Sequence, residues 1–143
     1  MMKSSCRSVL ILLAALTGLG LGPVPLPGTL RVMIVMEGSN IQLQPQLNGL
    51  RDGLEELGYS EGENLFWQRV DGETLEELRV NLKSRMEKHP ADIIVALGTT
   101  ETNVAKEIAP KTPTVFLPAA DPVKSGFVRS LASPGTQLTG LSF

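Results

Sequence analysis

Thr99 and Thr100 stand directly after Gly98, where the apolar run "DIIVAL" gives way to a polar-headed segment opening with Glu101. A strand that ends in glycine and passes into a helix aims backbone N–H groups, and the positive end of the helix dipole, at one spot. That spot attracts an anion or a polar ligand, although the same threonines also suit a plain helix cap. Asp121, held before Pro122 in "PAADPVKSG", places a carboxylate in a second turn, where it serves either as a turn former or as a ligand contact. Ser39 and Asn40 lie in a third polar loop, "EGSNIQLQ". The chemistry these residues offer is recognition of a polar solute.

Catalytic readings fail on their surroundings. Gly58-Tyr59-Ser60-Glu61-Gly62 spells the G-x-S-x-G nucleophile elbow, but an elbow needs a strand before it and a helix after it, and here the expected order is helix, turn, strand. His89 is the sole histidine, which argues against a His-based metal site or acid–base pair and suits a helix end. The sole cysteine, Cys6, lies in the N-terminal leader, so the mature chain has no thiolate nucleophile and no disulfide. No Walker loop and no G-x-G-x-x-G after the first strand is present, and "GLGLG" in the leader follows no strand. The third strand ends in "LGTT" rather than the aspartate of a phosphate-accepting receiver. No cofactor is expected.

The elements that must position these turns alternate strand and helix from Leu30 onward, which predicts an α/β fold of three layers, a mainly parallel sheet with helices on both faces. "LRVMIVM" has the short, β-branched, apolar character of a central strand. Leu47, Leu50, Leu54 and Leu57 make one helical stripe between Pro45 and Gly58, and Gly49 and Gly53, one turn apart, predict a close approach against that helix. "NLFWQRV" alternates as a strand, with Trp67 read as packing. Thr74 and Glu77 form a capping box for a helix carrying Leu75, Leu78, Leu82 and Met86, its acids at the start and its bases at the end. A short helix through Val104, Ala105 and Ile108 stops at Pro110, "TVFL" is a fourth strand and "QLTGLSF" a fifth. In such a sheet, ligands bind beyond the carboxyl ends of the strands, near the point where strand order reverses. The loops of Ser39, Thr99 and Asp121 meet there.

Residues 1–29 read as a signal peptide and Pro-rich linker. Lys3 and Arg7 precede an apolar core from Val9 to Leu21, and Gly18, Gly20 and Gly22 supply small residues for cleavage. The core is shorter than the roughly 20 residues a membrane span requires and meets Pro23, Pro25 and Pro27, so an uncleaved anchor is the weaker alternative. Without Lys3 and Arg7 the chain keeps eleven Lys and Arg against fifteen Asp and Glu, a net charge of −4. Nucleic acid is therefore not expected as a partner.

In this order the segments "GLRDGLEELGYSEGENL", "ADIIVALGTTETNVAKE" with "TPTVF", and above all "ADPVKSGFVRSLASPGTQLTGLS" resemble the substrate-binding proteins of bacterial ABC transporters, in the branch that includes tryptophan-binding-like lipoproteins. In the last segment the resemblance runs through an Asp-Pro-Val turn, a Gly-hydrophobic-Val helix, a Ser-Leu-Ala-x-Pro-Gly loop and a Thr-Gly strand. It implies a type I periplasmic-binding fold, in which two α/β lobes close on a small ligand. Residues 30–143 would be the N-terminal lobe, the second lobe being absent. Thr99 and Thr100 would face the interlobe cleft and hold a carboxylate or similar group, Asp121 would suit an amine or hydroxyl, and Ser39 and Asn40 would add contacts. The implied function is that of a non-enzymatic solute receptor for an ABC importer, with an amino acid or similar solute as ligand and a membrane permease as partner. A sensing module of the same fold is the alternative. Cys6 precedes the apolar core rather than following it as a lipobox cysteine would, which favours a soluble periplasmic form.

Overall fold

A computed structural model describes residues 28–38 and 43–142. The leader through residue 27, and with it the expected cleavage region up to that point, lies outside the described residues. Among the described residues, five strands and three helices follow one another as β1 (Leu30–Glu37), α1 (Gln44–Glu56), β2 (Leu65–Gly72), α2 (Leu75–Lys88), β3 (Ile93–Ala96), α3 (Thr99–Ile108), β4 (Thr114–Ala119) and β5 (Leu138–Ser142). The strands form one sheet in the order β2-β1-β3-β4-β5, and every pairing is parallel. The order reverses at β1, so the crevice between the carboxyl ends of β1 and β3 is the switch point.

The alternation of side chains along β1 explains the three layers. Met33 and Val35 face a core shared with Val70, Leu78, Leu82, Ile94, Val104 and Ala105, under α2 and α3. Val32, Ile34 and Met36 face the opposite core, where Leu47, Leu50 and Leu54 of α1 pack with Tyr59 and Trp67. Five consecutive buried residues, Val32–Met36, are what a strand covered on both faces requires. A third cluster joins Phe116 and Ala119 of β4 to Phe127, Val128 and Leu138. Its Phe116 and Phe127 rings lie 5.8 Å apart in a tilted arrangement.

Local chemistry places the ends of the elements. Thr74 Oγ1 accepts from Glu77 N at 3.2 Å, and the Glu77 carboxylate reaches back to Glu73 N at 3.1 Å, one residue outside the usual capping box. His89 caps the far end of α2 through its N–H to Arg85 O. Gly72 lets that helix approach, since a Cβ there would stand 2.5 Å from Leu78 N. Ser60 sits between α1 and β2, with Ser60 N bonded to Asn64 Oδ1 at 2.6 Å, at the amino end of the sheet, as the helix–turn–strand reading expects. Trp67 packs in the α1 core with the Arg51 guanidinium 5.8 Å from its ring centre.

Three expectations need correction. Gly49 and Gly53 meet nothing within 4 Å, because both fall on the exposed side of α1. Leu57 leaves the leucine stripe: it is the C-cap residue of α1 and is 70% exposed. The Gly126-Phe127-Val128 segment is no helix. Asp121 to Gly126 makes a single turn, Ser125 N bonding to Asp121 O, and Gly126 at φ 68° ends it, so that Phe127 and Val128 drop into the third cluster.

Candidate functional site

The carboxyl ends of β1, β3 and β4 bring Glu37, Gly98 and Ala120 into one region. Gly98, at φ 130°, is the N-cap of α3, so neither threonine caps the helix. A threonine could not take that place: the backbone lies in the glycine region, and a Cβ at Gly98 would collide with the Glu101 carboxylate. Thr99 is instead the first helical residue, and its Oγ1 accepts from Ala120 N at 3.1 Å, tying the turn after β3 to the turn after β4. The first bonds inside the helix run from Thr102 N and Thr102 Oγ1 to Gly98 O. The N–H groups of Thr99 and Thr100 precede them and have no intrahelical partner.

Asp121 follows immediately. It is the one non-glycine residue with positive φ among those described, at 38°, and its Oδ1 accepts from Lys124 N at 3.0 Å. The carboxylate thus closes its own turn with one oxygen, and Oδ2 takes no part in that closure. Ser125 Oγ completes the turn by donating to Ala120 O at 3.3 Å. The structure brings Thr99 and Asp121 together on adjacent, hydrogen-bonded turns. Thr100 is exposed and lines a groove with Leu75, Arg79, Asn103 and Lys106, between α2 and α3. Ser39 and Asn40 lie outside the described residues.

Sequence reasoning missed Glu101. This third residue of α3 is 7% exposed, and its Oε1 accepts from Glu37 N at 3.1 Å across the switch point. The available signal was a carboxylate three residues after a strand-ending glycine, within reach of the helix's first turn. Burial raises its carboxyl above the ordinary glutamate value of 4.5, the Glu37 carboxylate adds to the rise, and hydrogen bonds from the backbone N–H groups of Glu101 and Glu37 oppose it. The folded chain therefore holds this proton more tightly than the unfolded chain does. The stability gained from it is fully present below pH 4.5 and is lost as pH rises through the folded value. Urea unfolding across that range is expected to show the wild type losing stability relative to Glu101→Gln as pH rises; parallel pH curves for the two proteins would contradict the assignment.

Residues 30–142 match the family model for ABC transporter substrate binding proteins. The chain belongs to that family. A "Tyrosine-binding protein" of Clostridioides difficile is 26% identical over 108 residues, covering 73% of this chain and 31% of that protein. Among solved structures, a ligand-free, open substrate-binding protein with adhesive properties from Clostridium difficile superposes with a TM-score of 0.72 at 23% identity, over 80% of this chain and 39% of its own. An ABC domain in complex with L-Trp from Streptococcus pneumonia gives 0.70 at 19% identity, over 80% and 39%. A conserved domain protein of Vibrio cholerae gives 0.71 at 28%, over 80% and 38%. This substrate-binding family member thus spans about a third of the curated relative and about two fifths of the solved structures. Its parallel five-stranded sheet is the α/β architecture of their lobes. No helix among the described residues is long and apolar enough to cross a membrane, and no group of three or more His, Cys, Asp or Glu among them could hold a metal ion.

Proposed function

We propose that residues 30–143 form one wall of an interlobe cleft that binds a small polar solute, such as an amino acid, for an ABC import system, a second α/β lobe supplying the opposite wall and a membrane permease receiving the cargo. The observation that carries this reading is the bonded pair of turns at the carboxyl ends of β3 and β4, which ties the first turn of α3 to Ala120, the residue next to Asp121. A helix N-terminus suits a carboxylate and an aspartate suits an ammonium, so one α-amino acid satisfies both. Thr99, Thr100 and Asp121 are the contacts, and Ser39 and Asn40, which follow β1 in the sequence, are the further candidates. The tyrosine-binding and L-Trp-bound relatives support the ligand class. Their coverage supports a site shared with a further lobe.

Asp121 tests the reading, provided its turn is respected. Alanine would remove the bond to Lys124 N and strain a positive φ, mixing folding with binding. Asparagine keeps the acceptor and tolerates that backbone. In the two-lobed protein, Asp121→Asn is expected to leave the melting temperature nearly unchanged and to weaken binding of the amino acid by about 1 to 3 kcal/mol, the scale of a charge-assisted hydrogen bond. Unaltered affinity by calorimetry would remove Asp121 from the site.

The same reading places the protein in the periplasm, exported through residues 1–29. Mass spectrometry of protein from the envelope fraction is expected to find the mature N-terminus between residues 18 and 28. An intact Met1 in a cytoplasmic pool would refute it.

A further inference from the structure

The β1–β3 ladder ends with a bond from Leu97 N to Val35 O. In a parallel ladder the next donor on that side is Glu37 N, whose usual acceptor would be the following carbonyl of β3. β3 has by then turned at Gly98 into α3. Glu101 Oε1 takes the bond instead, at 3.1 Å. On the other side of β1 the backbone is also held past the strand's end, Gly38 N bonding to Gly72 O at 3.2 Å and Arg69 Nη2 to Gly38 O at 3.2 Å. The carboxylate therefore occupies the gap that strand reversal opens, where an unpaired N–H would be costly. The absent side chain of Gly98 makes room for it.

We propose that Glu101 is a positioning residue of the switch-point crevice: its carboxylate replaces the lost β3 carbonyl and fixes the end of β1 against the first turn of α3. Two rigid links then run in series. Glu101 joins Glu37 to α3, and Thr99 joins α3 to Ala120 beside Asp121. The end of β1 and the turns after β3 and β4 are thus held in one register before any ligand arrives, and this pre-set geometry lowers the ordering cost of binding. The role in binding rests on the function proposed above; the role in geometry does not.

Three variants of the full chain separate reach from charge. Glu101→Gln keeps an acceptor at the same distance, Glu101→Asp keeps the charge but withdraws it by one methylene, and Glu101→Ala removes both. Backbone amide exchange by NMR is expected to accelerate about tenfold or more at Glu37 in the Asp and Ala variants, with Val35 and Ile94 unaffected and the Gln variant like wild type. If the Ala variant does not fold, the Asp and Gln pair still decides. Equal exchange at Glu37 in the Asp variant and wild type, or a Gln variant that behaves like Asp, would overturn the proposal. Titration of a two-lobed form with L-tyrosine and L-tryptophan reads the second consequence: affinity is expected to fall about tenfold in the Asp variant and to be restored in the Gln variant. Affinity unchanged in the Asp variant, with exchange accelerated, would overturn the role in binding. Binding absent in the wild type as well would instead count against the proposed ligand class, and the exchange result would stand on its own.

Discussion

Residues 30–143 in isolation are expected to bind an amino acid about a thousandfold more weakly than the same residues joined to a second lobe. A cleft gains affinity by surrounding most of its ligand and excluding water. If the opposite wall supplies half of a micromolar interaction of about 8 kcal/mol, the remaining half corresponds to roughly millimolar affinity. Leaving one ligand face in water weakens it further. β5 adds a second expectation: only Leu138 of its five residues is buried, and Leu141 is 65% exposed on a sheet-edge strand. Such an edge invites pairing with another copy. Calorimetry with an amino-acid panel, together with light scattering, measures both. Micromolar binding by a clean monomer would show that this lobe is a complete receptor and would retire the shared-cleft model.

Phe116→Ala is expected to cost about 3 to 5 kcal/mol, a large part of the roughly 5 to 15 kcal/mol that a domain commands. Phe116 is 2% exposed, packs on Phe127, and lies directly beneath Gly140, whose missing side chain brings β5 close to the ring. Phe116 is one of five buried members of the third cluster, so its removal takes away a large part of that small core. Its loss would loosen β5 and the turn carrying Phe127, and with them the frame around Asp121. Urea unfolding measures the effect. A loss below about 1 kcal/mol would mean that the cluster collapses onto the void and that β4 and β5 are held chiefly by their ladder.

The strands and helices were legible in the sequence because their periods are strong and their ends are marked. β1 reads as buried on both faces, α2 is bounded by Thr74 and His89, and the "DIIVAL" to Gly98 junction locates β3 and α3. What escaped depended on neighbours distant in the chain. Gly49 and Gly53 suggested a close approach, but spacing along one helix does not say which side faces the sheet. The resemblance implied a helix at Gly126-Phe127-Val128, but there Phe127 is buried against Phe116 and the segment is not helical. Asp121 was read as a turn former and closes its turn, while Thr99, read as a helix cap, is the first helical residue; the tie of its Oγ1 to Ala120 N joins positions 21 residues apart. Glu101 was hidden for the same reason: its partner, Glu37, is 64 residues away, and a helix's third position is a commonplace setting for glutamate.

Because every strand runs the same way, the molecule has two ends with separate duties. The end where strands begin is secured by its own bonds, the local one from Ser60 N to Asn64 and the cross-strand one from Arg31 N to Asp92 among them. The end where they finish carries the turns after β1, β3 and β4. Substitutions can therefore accumulate at one rim without disturbing the fastenings at the other. On the function proposed above, such a family would acquire new cargoes by exchanging the segments at this rim while inheriting its sheet unchanged, with Glu101 and Thr99 as the joints each exchange has to preserve.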